Sequence, residues 1–137
     1  MRTSMSIGAL FLKEDSLPKL LHSGNKMIQE VGDLTLEEIL KSVPGFISGI
    51  IPHLLALYSS RSGYVRLKSV QYLEIILFKM VKTTEHPAIW DENEYFQFLE
   101  NNQAMIEYFL INSVQDGKTE VRAQARYCLL IYRDLFL

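Results

Sequence analysis

Apolar positions recur along this chain with helical spacing. In "SRSGYVRLKSVQYLEI" (60–75 and on to Ile76) the apolar and small positions fall at Val65, Ser69, Leu73 and Ile76, steps of 4, 4 and 3 that trace one stripe of a helix. The stripe returns 56 residues later (Val65 to Val121) in "QDGKTEVRAQARYCLL", as Val121, Ala125, Leu129 and Tyr132. An arginine follows the first valine in both copies, Arg66 and Arg122. A weaker copy lies 37 residues upstream (Val65 to Ile28): Ile28, Gly32, Leu36 and Ile39, with Gln29 in the arginine's place. The middle position is small in all three, Gly32, Ser69 and Ala125, which lets a neighbouring helix approach closely.

An apolar segment and a polar turn precede each copy. "SLPKLLH" runs into "SGNK", "PGFISGIIPHLLALY" into "SSRSG", and "EYFQFLENNQAMIEYFLINSV" into "QDGKT". Gly, Ser, Asn and Asp in these turns end one helix and cap the next. Ser62 is the expected cap of the middle helix, and Asp116 or Thr119 that of the last. The pattern predicts helix, turn, helix three times over, with second helices at about 25–41, 63–82 and 119–136. Sustained period-2 alternation and Asn-Gly hairpin signals are missing from the sequence, so no strands are expected. Pro44 suits a first helical turn, whereas Pro52 should bend or split the run around it. "TTEHPAIWDENE" (83–94) reads as an extended loop whose acids cap a helix beginning near Tyr95. Residues 1–15 form an N-terminal segment with a helical remnant at 3–13, and the domain proper runs 16–137.

Composition narrows the class. At 137 residues, 48% hydrophobic and 22% charged, the chain can bury a core and is not of the disordered type. A net charge of -2 gives no global basic field for nucleic acid or anionic membrane. One cysteine, Cys128, leaves no internal disulfide and no multi-cysteine zinc site, and its place on the stripe assigns it to the core. "FISGIIPHLLALY" (46–58) is too short for a membrane span, and no secretory cleavage site follows the "IGALFL" run. A cytoplasmic protein is expected.

A helix pair repeated at roughly 40 residues is the signature of a HEAT-like array. The expected fold is therefore all-α, a HEAT-like α-solenoid of about three antiparallel helix pairs. "SRSGYVRLKSVQYLEIIL" and "DGKTEVRAQARYCLLIYRDLF" further resemble the fourth and fifth helix pairs of a TOG domain of the CLASP family, and "SGNKMIQEVGDLTLEEIL" the pair before them. The resemblance covers roughly residues 16–137 and the second half of such a domain. The first repeat, with its turn tryptophan, has no counterpart here, since Trp90 lies in the long loop.

That resemblance implies a non-enzymatic module that binds α/β-tubulin or microtubules through its intra-repeat turns and works at the cytoskeleton. Carried onto this chain, the binding edge comprises Gly24, Asn25 and Lys26, then Arg61, Ser62, Gly63 and Arg66, then Gly117, Lys118, Thr119 and Arg122. Tubulin is acidic, and Lys or Arg at turn tips make charge-assisted contacts with carboxylates. For Arg66 and Arg122 the alternative role is an ion pair with an acid of a neighbouring turn. The other function class is a HEAT scaffold that uses its concave helix face for a partner other than tubulin.

Chemistry is weakly represented. His22, His53 and His86 lie far apart without metal-ligand spacing, "DENE" lacks the spacing of a calcium loop, and no Gly-rich phosphate loop occurs, so no cofactor or metal is expected. The aromatics Tyr72, Phe78, Phe96, Phe98, Tyr108, Phe109, Tyr127 and Tyr132 fit helix packing rather than a base-stacking platform. Neither end of the chain carries a polar cap, so apolar end faces and self-association through them are expected.

Overall fold

The computed structural model describes residues 17–43, 46–47, 49–85 and 92–136. Among them the fold is all-helical. A short turn of helix, α1 (Leu17–Leu20), precedes α2 (Lys26–Ser42), α3 (Ile50–Tyr58), α4 (Gly63–Glu85), α5 (Glu92–Ser113) and α6 (Thr119–Phe136). The three second helices thus start and stop close to where the apolar stripes place them. Residues 3–13, Pro44, His86 and Trp90 lie outside the described residues.

Helix α2 begins at Asn25, whose side-chain oxygen accepts from the Met27 and Ile28 amides at 2.9 and 3.3 Å and so satisfies two of the open donors of the first turn. Ser62 does the same for α4, accepting from the Val65 amide at 3.2 Å. The last helix departs from expectation. Asp116 accepts from the Lys118 amide inside the turn, and Thr119 is already the first helical residue, so neither caps α6. Pro52 interrupts the apolar run by setting a helix start: Gly49 takes a left-handed φ of 75° and Pro52 sits in the first turn of α3, where its missing N–H leaves no bond unmade.

The loop expected at 83–94 is shorter than its sequence suggests. Helix α4 continues to Glu85 and α5 opens at Glu92. Glu94 is therefore helical, not a cap residue, and its carboxylate instead accepts from the Phe46 amide at 2.9 Å.

Helix α4 is the spine of the core. It contacts α2, α3, α5 and α6, and it buries Val65, Val70, Tyr72, Leu73, Ile76, Leu77 and Met80 around most of its circumference. Helix α6 buries a single stripe, Val121, Ala125, Cys128 and Tyr132. Here the sequence register needs correcting: Leu129 is 42% exposed, and Cys128 fills the place aligned with it. With only one side covered, α6 needs a narrower stripe than α4 does. Ile28 is likewise exposed where its counterparts Val65 and Val121 are buried.

Half of the aromatics expected in the core are there. Tyr72, Phe98, Phe109 and Tyr132 are buried, while Phe78, Phe96, Tyr108 and Tyr127 are exposed. Apolar groups also stay open on α2 (Met27, Val31, Leu34), on α5 (Phe96, Ile111) and on α6 (Tyr127, Leu130). Among the described residues no helix is long and apolar enough to cross a membrane.

At Gly32 a neighbouring segment comes close. A β-carbon built there would meet the Leu20 β-carbon at 2.7 Å, inside the range that real side chains adopt. Leu20 belongs to the short segment that turns back along α2, held by a bond from the Gln29 amide group to the Leu21 carbonyl. Gly32→Ala should therefore destabilise the fold by about 1–3 kcal/mol through overpacking. Gly24→Ala, where the added carbon meets nothing within 4 Å, should change stability little. Urea unfolding of the two variants measures the difference, and equal midpoints would remove the close-approach argument.

Candidate functional site at the turn edge

The turns that precede α2, α4 and α6 lie side by side. His22 Nε2 is 3.0 Å from Ser60 Oγ, linking the first turn to the second. Arg66, in the first turn of α4, reaches Asp116 of the third turn with two bonds: Nε to Oδ2 at 3.0 Å and a terminal nitrogen to Oδ1 at 3.2 Å. Lys118 lies against Gly63, close enough that a β-carbon on that glycine would collide with the lysine's aliphatic stem. The starts of α2, α4 and α6 therefore share one edge.

Asp116 organises this edge from within. It is buried, and besides Arg66 it accepts from the Tyr58 hydroxyl at 2.7 Å and the Lys118 amide at 2.9 Å. Burial alone would raise its carboxyl. The Arg66 guanidinium, the Lys118 amide and the Tyr58 hydroxyl outweigh that and hold it below the ordinary carboxylate range. The bond to Asp116 likewise raises Arg66, which stays charged. Burial, together with the same carboxylate, pushes the Tyr58 hydroxyl well above its usual value. Arg66 also donates to the Ser60 and Arg61 carbonyls at 3.1 and 3.0 Å, closing the second turn. Arg122 closes the third in the same manner, donating to the Asp116 carbonyl at 2.7 Å and to Thr119 Oγ1 at 3.0 Å.

Of the eleven residues carried over as a binding edge, the eight that are not glycine divide in two. Asn25 and Ser62 are helix caps, while Arg66, Arg122 and Thr119 hold the turns together. Lys26, Arg61 and Lys118 are exposed, and none of their charged groups forms an ion pair among the described residues. Asp116 and Tyr58, which fix the geometry, carry no motif of their own. The signal available in advance was only an arginine at 66 and an acid in the following turn.

Among the described residues no group of three His, Cys, Asp or Glu side chains is placed to hold a metal ion. Cys128 is fully buried, donates to the Val70 carbonyl, and has its thiol pushed up to about 12 by burial, so it is not a thiolate at neutral pH. Comparison with protein-family models, curated proteins and solved structures finds no match for this chain.

Removing Asp116 should damage the edge from inside. An exposed ion pair is worth about 0–1 kcal/mol and a buried one costs about 3–5 kcal/mol to break. The Arg66–Asp116 pair, with side chains 19% and 4% exposed, lies between, so Asp116→Ala should cost about 2 kcal/mol. Because its carboxyl is depressed in the folded state, the stabilisation is full above the ordinary carboxylate pKa. It is lost as pH falls through the lower, folded value. Urea titrations from neutral to acid pH should show a shallower loss for Asp116→Asn than for the parent. Parallel curves would contradict this assignment.

Proposed function

We propose that this chain is a partial TOG-type domain, a HEAT-like α-solenoid of three antiparallel helix pairs, which binds tubulin through its turn edge. The pairs would be α1 with α2, α3 with α4, and α5 with α6. The observation that carries the reading is that Lys26, Arg61 and Lys118 are exposed on turns that hydrogen bonds tie to one another, with no ion-pair partner among the described residues. Three cations in a row suit an acidic protein surface, and turns that are already hydrogen-bonded to one another keep their spacing. Non-enzymatic regulation of microtubules at the cytoskeleton follows from that partner.

A second reading keeps the helical array but assigns it a different protein partner, met by the helix faces. The exposed aromatic and aliphatic side chains of α5 and α6, Phe96, Tyr108, Ile111, Tyr127 and Leu130, favour it. The same side chains would also serve self-association.

Charge reversal separates the two. Arg61→Glu with Lys118→Glu should leave stability within about 0.5 kcal/mol, because both side chains are exposed. Co-sedimentation with soluble tubulin should be lost in the double variant, and the parent's binding should weaken as salt rises. Equal binding by parent and variant would dismiss the edge. No binding by either would leave the helix faces as the interaction surface.

A further inference from the structure

Helices α2, α4 and α6 are joined by one recurring junction. The starts of all three share the turn edge, and Lys79, late in α4, donates to the Val43 carbonyl at the end of α2, so α2 and α4 run parallel. Asp33 of α2 meets Lys68 and Tyr72 of α4. The sequence steps of 37 and 56 residues carry these three onto Val70 of α4 (33 to 70) and Gln124 and Cys128 of α6 (68 to 124, 72 to 128). Those counterparts meet in turn. Cys128 donates to the Val70 carbonyl, and Gln124 donates to Glu74, one helical turn beyond Val70.

The next step of the same pattern would join α6 to another α2. On α6 the places of Val70 and Glu74 are taken by Arg126 and Leu130 (70 to 126, 74 to 130), and on α2 those of Lys68 and Tyr72 by Val31 and Thr35 (68 to 31, 72 to 35). Leu130 is 50% exposed and Val31 58%, and Ile28 is open beside Val31 where its counterparts Val65 and Val121 are buried. The interior tie of Glu74 to Gln124 thus becomes, at the two outer sides, a match of Leu130 with Val31.

The outer sides also complement each other in charge. Arg126, Leu130 and Arg133 follow at steps of 4 and 3 along α6, and Val31, Thr35 and Glu38 do so along α2. Arg133 stands twelve residues past Val121 and Glu38 ten past Ile28, a difference of about 3 Å along parallel helices. Arg133 therefore comes level with Glu38 when Leu130 lies on Val31. Its pair with Asp134 is exposed and weak, so it can turn to a new partner.

We propose that α6 of one copy of this chain packs against α2 of the next, head to tail, and so continues the array. A two-fold pairing of α6 with α6 would set Arg126 and Arg133 against their own copies, like charge on like. Head-to-tail contacts repeat, so the product is a chain of copies. The inference rests on the equivalence of α2, α4 and α6 in the reading above and not on tubulin.

Sedimentation velocity of the whole chain, with no tubulin present, tests it. The parent's weight-average mass should climb with concentration past that of two chains by about 1 mM. Val31→Glu closes the α2 side and Leu130→Glu the α6 side, both at exposed positions. Each variant alone should stay monomeric over the same range. An equimolar mixture should form a species of two chains and nothing larger, because each variant keeps the side that the other lacks. Circular dichroism checks folding, and Val31→Lys and Leu130→Asp take their place if a glutamate variant does not fold. Overturning results are a parent that stays monomeric, a single variant that associates as the parent does, or a mixture of folded variants that stays monomeric.

Discussion

One carboxylate holds the turn edge together. Asp116 accepts from the guanidinium of α4, the hydroxyl at the end of α3 and an amide of its own turn, while its carbonyl takes the guanidinium of α6. Four segments therefore meet at one residue. A buried charge of this kind is tolerated only when its lone pairs are filled, so each partner is constrained by the needs of the others. Arg66 cannot leave for an external carboxylate without exposing Asp116 to an unmade bond. That is the physical reason Arg66 belongs to the architecture of the edge.

The other flank of α4 repeats the theme with different residues. Asp33 of α2 accepts from the Tyr72 hydroxyl and pairs with Lys68, both at 2.8 Å. On each side of the spine, then, an acid from a neighbouring element is met by a hydroxyl and a cation. Between these ties the contact is apolar, and the small residues Ser69 and Ala125 allow the helices to come close. Hydrophobic burial drives the association in both places. The polar ties choose among the registers that burial alone would accept.

What could be read from the chain before its fold was known follows from this division. Apolar stripes are periodic, so the extents of α2, α4 and α6 were legible to within three residues, as was the burial of Cys128. Cross-helix partners are not periodic. Asp33 looks like any surface acid of an amphipathic helix until Tyr72 and Lys68 are known to face it. Glu94 reads as a cap because its partner, the Phe46 amide, is 48 residues away in sequence. The exchange of Leu129 for Cys128 has a related cause: a one-residue offset is invisible when both candidates are apolar, and only the covered face decides. At the turn edge the residue types were legible and their roles were not. Asn25 and Ser62 are favoured in caps and in contact surfaces alike, and only the geometry of the first turn distinguishes the two.

The three exposed cations of the edge are not equivalent in freedom. A lysine in open solvent samples many rotamers, and fixing them on contact costs up to about 2 kcal/mol. Lys118 has its stem laid along Gly63, a position left open only because that residue has no side chain. Part of its conformational entropy is already spent on folding, so its ammonium samples a narrower set of poses than the one at Lys26. A methyl group at position 63 would push that stem away and return the charge to free motion without touching a single charged atom.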